Sequence, residues 1–372
     1  MKILYITTIG GTMNFFREMT KSLIDAGHCV DIACSNLGLG VPEYFKELGC
    51  QYHCLSVSRS PLDMGNVKAI CEIKKLVKEN GYDIVHCHTP IAAACTRVAC
   101  RGLRKKGVKV FYTAHGFHFY DGAPLKNWLV YYPVEKLCAR FTDVLITINQ
   151  EDYKRAQKKL KAKKVVYVPG VGMNLERFDV PECEQAEKRK ELGIPNNATV
   201  LLSVGEVNAN KNQQVIIKAM AQLKKDNVYY LIAGNGNQMD VLQNLAESLN
   251  LGNRVHLLGF RKDIPDLCAA SDIFCFPSKR EGLGLASLEA MACGLPILTS
   301  NVHGINDYSE NGVTGYKYPP CDVAGFAEGI MKLISEPETC IRMGEYNRKA
   351  VKKYSIQNVL PIMQALYDKK GI

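Results

Sequence analysis

Short apolar segments alternate with amphipathic helical segments along almost the whole chain, and this alternation constrains the fold more than any other feature. It is typical of α/β proteins, in which a parallel sheet is covered by helices on both faces. The first half has predicted strands at residues 2–7, 28–34, 84–87, 109–113, 144–148 and 165–168. The second half has them at residues 200–204, 228–233, 255–258, 273–276, 297–299 and 315–318. The first helix is predicted over residues 14–26, ending at Gly27.

The two strand series are separated by a glycine- and proline-rich segment, residues 169–178, followed by a charged stretch, residues 181–193. This change in composition marks the best hinge candidate. A chain of 372 residues is also too long for one ordinary hydrophobic core. We therefore predict two Rossmann-like domains, residues 1–172 and 173–354, that face each other across a deep cleft. Doubly wound sheets bind ligands beyond the carboxyl ends of their strands, so both domains can line one site.

Composition points to a globular protein of a reducing compartment. Apolar residues make up 47% of the chain and charged residues 23%, and no apolar run is long enough to span a bilayer. The first residues read as a strand rather than as a signal peptide. The 15 cysteines include no Cys-x-x-Cys pair, which favours free buried thiols over a disulfide framework. We expect a cytoplasmic location.

Positive charge is concentrated in the first half. The net charge is +10, and residues 1–170 hold 25 Lys and Arg against 14 Asp and Glu. Residues 101–106 and 154–164 are the densest basic runs. Such runs are either solvated helix faces or surfaces attracted to an anionic membrane or a phosphorylated lipid, on the inner face of the membrane. Nucleic acid is not an expected partner, because no aromatic platform or binding motif accompanies the basic runs.

The stretch from Glu281 to Pro296 carries the clearest chemical signal. Glu281 precedes two glycines, and Glu289 follows eight residues later, within a helix predicted to open at Leu285. A glycine loop at a helix N-terminus can approach a phosphate closely, since it lacks side chains and offers unpaired N–H groups. A carboxylate beside an anion site needs another use, and accepting hydrogen bonds from sugar hydroxyls is a natural one.

With its Glu-Ala-Met-Ala-x-Gly-x-Pro ending, this stretch resembles the donor-sugar signature of family 4 glycosyltransferases, which are retaining, nucleotide-sugar-dependent enzymes of the GT-B fold. The resemblance implies that Glu281 binds the donor sugar and Glu289 the ribose. It places the diphosphate on the backbone of Gly282, Leu283, Gly284, Leu285 and Ala286. It also implies that the C-terminal helix, residues 355–372, packs back onto the first domain.

The resemblance extends to the first half of the chain. Gly11 lies in a glycine pair after the first strand, where the family places a loop that approaches donor or acceptor. His115, in an Ala-His-Gly sequence, matches the family's histidine beside the transferred sugar, which makes it, like Glu281, a catalytic candidate. His88, His118 and Tyr120 are candidates for acceptor contacts. His86 and His88 also fit a metal pair by spacing, but no third ligand follows at a suitable distance.

The cations of the second half depart from the family pattern. Lys211 is placed to neutralise a diphosphate leaving group. Relatives carry an Arg earlier in the same loop, where this chain has Glu206, so the clamp depends on Lys211. Arg261 follows a strand in the stretch that flanks the nucleotide base in relatives. The chain has no Asp-x-Asp, and we expect neither a divalent metal nor another cofactor.

These features together predict a hexosyltransferase that moves a hexose or N-acetylhexosamine from a nucleotide sugar, expected to be a UDP-sugar. The acceptor is predicted to be a glycan or a polyprenyl-diphosphate-linked sugar, as in capsule and exopolysaccharide biosynthesis. In this family, retention is attributed to attack on the same face, assisted by the departing phosphate. Two alternatives stay open: a GT-B sugar-nucleotide epimerase, and a non-catalytic partner subunit, which only Glu206 suggests.

Overall fold

The computed structural model describes residues 1–38, 40–178, 185–223 and 225–368. The chain divides into two compact units, Met1–Gly172 with Ile356–Ile372, and Met173–Ser355. Residues 181–184 of the predicted charged linker and residues 369–372 of the predicted C-terminal helix lie outside the described residues.

The first unit is built on a seven-stranded parallel sheet with the order β3-β2-β1-β4-β5-β6-β7. Its strands are β1 Lys2–Ile9, β2 Cys29–Ser35, β3 Tyr52–Cys54, β4 Ile84–His88, β5 Lys109–Ala114, β6 Val144–Thr147 and β7 Lys164–Tyr167. Its helices are α1 Arg17–Asp25, α2 Glu43–Glu47, α3 Gly65–Asn80, α4 Pro90–Cys100, α5 Leu125–Ala139, α6 Gln150–Lys159 and, from the end of the chain, α14 Ile356–Tyr367.

The second unit has a six-stranded parallel sheet with the order β10-β9-β8-β11-β12-β13. Its strands are β8 Thr199–Val204, β9 Val228–Ala233, β10 Val255–Gly259, β11 Ile273–Phe276, β12 Ile297–Ser300 and β13 Gly315–Tyr318. Its helices are α7 Gln185–Glu191, α8 Gln214–Gln222, α9 Met239–Ser248, α10 Ile264–Ala269, α11 Leu285–Ala292, α12 Val323–Ser335 and α13 Pro337–Ala350.

Both sheets reverse their strand order at the first strand of the unit, as doubly wound folds do. The central strands are buried on both faces; all five residues of β4 and all four of β11 are buried. This explains why β11, with the sequence Ile-Phe-Cys-Phe, reads as a continuous apolar run rather than as an alternating one. The predicted α/β class with two Rossmann-like sheets is confirmed, and the reversal places the functional loops at the carboxyl ends of β1, β4, β8 and β11.

Two local predictions differ from the structure. The helix predicted from residue 14 begins at Arg17, because the preceding segment, Gly10–Phe16, forms a 3-10 helix. Strand β3 was missed, since it has only three residues and lies at the edge of the sheet. In the part of the chain that the structure describes, no helix combines the length and the apolar character that crossing a bilayer requires.

Candidate functional site

The glycine loop, residues 281–284, connects β11 to α11, and α11 begins at Leu285 as the sequence predicts. Gly284 has φ +87°, a left-handed conformation. A Cβ placed on Gly284 would lie 2.5 Å from Cε1 of Phe276 and 2.9 Å from the hydroxyl of Tyr308. A Cβ on Gly304 would lie 1.9 Å from the carbonyl oxygen of Gly282. The loop is therefore packed so closely on its neighbours that only glycine fits at these points.

Lys211 and Glu281 meet at this loop. The Nζ of Lys211 donates a hydrogen bond to Oε1 of Glu281 at 2.6 Å, and it also lies 4.7 Å from the ring centre of Phe276. The two side chains are 21% and 14% exposed, so the ion pair is shielded yet reachable from solvent. The structure thus brings together two predicted site residues that are 70 positions apart in sequence.

Three asparagines of the loop between β8 and α8 fix the position of Lys211. Oδ1 of Asn208 accepts a hydrogen bond from the backbone N–H of Lys211 at 2.9 Å. Nδ2 of Asn210 donates to the carbonyl of Arg280 at 3.0 Å, directly before Glu281. Asn212 has φ +58°, and its Nδ2 donates to the carbonyl of Pro277 at 3.1 Å. The roles of these asparagines were not predicted from the sequence, although repeated asparagines are a signal for left-handed turn positions.

Glu289 lies on α11, one turn after its start, and is partly buried. Burial raises the pKa of its carboxyl, and the positive charge of Arg177 opposes that rise. The first turn of α11 also leaves N–H groups without partners inside the helix, including those of Leu285 and Ala286. The glycine loop therefore offers anion-binding N–H groups and two carboxylates within one strand-loop-helix segment.

Arg261 takes part in an ion cluster instead of standing alone. Its guanidinium donates to both carboxylate oxygens of Asp263 and, at 3.2 Å, to Glu191. Lys188 also donates to Asp263, at 2.9 Å, and these two cations hold the pKa of the Asp263 carboxyl well below its usual range. The predicted contact of Arg261 with the nucleotide stays a prediction. Glu206, the departure from the family pattern, is exposed.

In the first unit, His88 at the end of β4 and His115 after β5 lie side by side. Nδ1 of His88 and Nε2 of His115 are 3.2 Å apart, a hydrogen-bond distance. The ring of Phe16 packs against both imidazoles, and its centre lies 4.1 Å from the ring centre of His88 and 5.7 Å from that of His115. Burial lowers the pKa of His115 to about 4 and that of His88 well below its usual value, so both rings are neutral at neutral pH. One of them then donates and the other accepts.

His86 lies behind this pair and is held by hydroxyl groups. Its Nδ1 bonds to the hydroxyl of Tyr367 on α14, which is also 2.7 Å from the hydroxyl of Tyr5, and its Nε2 is 2.8 Å from Oγ1 of Thr113. Burial lowers the pKa of His86 to about 3. With both ring nitrogens bound to hydroxyls, His86 has no free lone pair for the metal that its spacing with His88 allowed.

The remaining candidates lie on the same edge of the first sheet or next to it. His118 stacks on Tyr131 of α5 with ring centres 4.4 Å apart, and Tyr120 is 9% exposed. Gly11 lies within the 3-10 helix after β1, where its carbonyl accepts a hydrogen bond from Asn14 at 3.1 Å. Their predicted ligand contacts stay predictions.

Two family models match the chain. "Glycosyl transferases group 1" matches residues 184–350, and "Glycosyl transferase 4-like" matches residues 2–149. The putative glycosyltransferase EpsD of Bacillus subtilis (strain 168) is 36% identical, with 94% of this chain and 97% of that protein covered. An Escherichia coli protein, the UDP-Gal:alpha-D-GlcNAc-diphosphoundecaprenol alpha-1,3-galactosyltransferase, is 32% identical over 81% of this chain and 79% of its own.

Solved structures with similar folds span nearly the whole chain. The crystal structure of Anabaena HepE in complex with UDP has a TM-score of 0.83 and 21% identity, covering 99% of both chains. The structure of WaaG, a glycosyltransferase involved in lipopolysaccharide biosynthesis, has a TM-score of 0.78 and 19% identity, covering 99% of this chain and 100% of its own. At this level of identity the likeness concerns the fold.

Proposed function

Because the chain belongs to the group 1, family 4-like glycosyltransferases and has their GT-B fold, we propose that it is a retaining enzyme that uses a nucleotide sugar. It transfers a hexose or N-acetylhexosamine to a glycan or a polyprenyl-diphosphate-linked acceptor during cell-surface polysaccharide biosynthesis. The observation that carries this proposal is the 2.6 Å pair of Lys211 and Glu281 on the glycine loop before α11.

The donor requires two kinds of group at this place. A nucleotide diphosphate leaving group needs positive charge and N–H donors, which Lys211 and the first turn of α11 supply. The sugar hydroxyls need acceptors, and Glu281 supplies carboxylate oxygens beside the same lysine. Glu289 is the corresponding acceptor for the ribose. Since the chain has no Asp-x-Asp, we expect turnover without a divalent metal ion.

The relatives support a UDP-sugar and a lipid-linked acceptor. The Escherichia coli relative is named for UDP-galactose and for a diphosphoundecaprenol acceptor, and structural neighbours were crystallised with UDP and UDP-glucose. The basic first unit suits an acceptor that is anionic and held at the inner face of a membrane. The protein would then act as a peripheral enzyme there.

In the first unit, His115 is the residue assigned to the reaction, with His88 as its hydrogen-bonding neighbour. A neutral imidazole can donate a hydrogen bond to a sugar hydroxyl without adding a charge. This suits a reaction in which the departing phosphate, rather than a side chain, takes the acceptor proton.

A panel of nucleotide sugars tests the proposal. The purified protein should release nucleoside diphosphate from one donor, slowly by hydrolysis and faster with a suitable acceptor. An isomerised donor without transfer would instead indicate an epimerase. Binding without any turnover would indicate a non-catalytic partner subunit. Glu206 suggests this alternative because it occupies the position of an arginine in the family.

A further inference from the structure

A groove in the first unit lies next to the predicted acceptor residues and has an apolar lining. It runs between the start of α4, the middle of α5 and the loop of residues 116–119, and its volume is about 200 Å³. Apolar side chains form most of its walls, among them Ile91, Ala94, Phe117, Phe119, Val130 and Val134. We call it the α4–α5 groove.

Helix α5, one wall of this groove, is apolar on its outer side as well. Leu125 is 73% exposed and Leu129 is 69% exposed, and Val130 and Val134 are each about half exposed. Across the groove, Leu62 is next to Pro61 of the opposite wall and is 92% exposed. Single exposed apolar residues are ordinary, but several on one helix beside an apolar groove indicate a binding surface.

The groove is lined in part by the loop that follows His115. Gly116, Phe117 and His118 follow His115 directly and line the groove. The loop is held in place because the N–H of Phe117 donates to Asp152 at 2.9 Å and Asn127 donates to the carbonyl of His118 at 3.0 Å. A molecule lying in the groove would therefore contact the residues that directly follow His115 in the chain.

The charges around the groove favour an anionic, membrane-resident ligand. Lys126 and Lys136 on α5, and Lys158 and Lys159 on α6, are all exposed. Lys159 lies 5.1 Å from the ring of Trp128 on α5, so the basic side of α6 borders the apolar helix. The carboxylate in the groove, Glu135, is bound by both terminal nitrogens of buried Arg97, so its charge is balanced. An apolar surface bordered by lysines matches an isoprenoid chain attached to a diphosphate.

We propose that the α4–α5 groove binds the isoprene units nearest the diphosphate of a polyprenyl diphosphate acceptor, which directs the sugar end towards the loop at His115. This rests on the proposed function, since it names the acceptor of that same site. Substituting residues that line the groove should therefore change the affinity for prenyl chains and leave the affinity for the nucleotide sugar unchanged.

Trp128 is the single tryptophan of the chain and provides the measurement. It packs edge-on against Phe119, a lining residue, with ring centres 5.6 Å apart. Titrating the full-length protein with farnesyl diphosphate should give a saturable change in Trp128 emission. Inorganic diphosphate, which lacks the chain, should bind at least tenfold more weakly, because each buried methylene group strengthens binding about fourfold.

The variant Val134→Asp tests whether farnesyl diphosphate binds in the groove, and Leu137→Asp is its matched control. Both residues are apolar, lie on α5 and are about equally exposed, but only Val134 lines the groove. We expect Val134→Asp to weaken farnesyl diphosphate binding at least tenfold and Leu137→Asp to change it less than twofold. Val130→Asp, at a second exposed lining position, should repeat the effect if Val134→Asp fails to fold.

Three outcomes would overturn the groove assignment: no saturable binding of farnesyl diphosphate, equal binding of inorganic diphosphate, or equal weakening by the two α5 variants. The failure of the proposed function looks different. In that case the wild-type protein would turn over no nucleotide sugar with any acceptor, whatever its affinity for farnesyl diphosphate. If turnover is present and Val134→Asp leaves the KM for a prenyl-linked acceptor unchanged, the groove assignment alone is wrong.

Discussion

Replacing Gly284 by Ala tests whether the glycine loop has the geometry described. The native φ of +87° is one that alanine adopts only with strain. The new methyl group would also lie 2.5 Å from a ring carbon of Phe276 and 2.9 Å from the hydroxyl of Tyr308. Both neighbours are buried, so neither can move without disturbing the core around β11.

The expected cost has two parts. A non-glycine residue held in the left-handed region costs about 1–3 kcal/mol. Overpacking a well-packed site costs about 1–3 kcal/mol more. The total cost is then about 4 kcal/mol. For a unit of this size each kcal/mol lowers the melting temperature by about 2–4 °C, so the melting temperature of the second unit should fall by about 8–16 °C.

Gly312→Ala is the matched control. Gly312 belongs to the same unit and has φ +75°, but a Cβ there would meet nothing within 4 Å. Gly312→Ala should therefore show only the cost of the left-handed backbone conformation, about 1–3 kcal/mol. Differential scanning calorimetry of the full-length variants gives the comparison, with donor titration as a second readout. If Gly284→Ala melts within 2 °C of Gly312→Ala, the close approach of Phe276 and Tyr308 to the loop is wrong.

Two further predictions concern the first unit. The histidines His86, His88 and His115 have lowered pKa values, so the unfolded chain binds protons near pH 6.5 that the folded unit does not. The free energy of unfolding should therefore be flat above pH 7 and decrease as the pH falls from about 6.5 towards 4. Urea unfolding curves that do not change across this window would contradict the neutral state of these histidines. Tyr367→Phe removes the hydroxyl shared by Tyr5 and His86 and should lower the free energy of unfolding by about 1–3 kcal/mol. Tyr346→Phe, at a position 45% exposed, should change it by less than about 0.5 kcal/mol. Equal effects of the two variants in urea unfolding would argue against the buried hydrogen bonds of the Tyr367 hydroxyl.

Much of the fold follows from local sequence signals. The predicted strand at residues 273–276 and the helix start at Leu285 are those of the structure, because a buried apolar run and a glycine before a helix are set by nearby residues. The 3-10 helix Gly10–Phe16 was not predicted. A Cβ on Gly10 would lie 2.3 Å from the backbone nitrogen of Val41, so this turn depends on packing against a distant segment.

The site was predicted as a set of residues but not as a geometry. Lys211 and Glu281 were both named from sequence, yet their ion pair joins loops 70 residues apart. The asparagines of the loop between β8 and α8, such as Asn212, bind backbone groups, and the sequence does not show which backbone groups they bind. The hydrogen bond between His86 and Tyr367 joins residues 281 positions apart and likewise could not be predicted from the sequence. Contacts of this range are set by the topology of the sheets.

The most direct test of the central claim is donor turnover by Lys211→Ala compared with Lys279→Ala. Lys279 is an exposed lysine two residues before Glu281, in the same unit. Release of UDP from the donor identified in the panel should fall by about 10²–10³-fold in Lys211→Ala, the scale expected when one stabilising group for a leaving anion is removed. It should remain within about twofold of wild type in Lys279→Ala. Near-wild-type turnover in a folded Lys211→Ala variant would contradict the assignment of the loop before α11 as the nucleotide-sugar site.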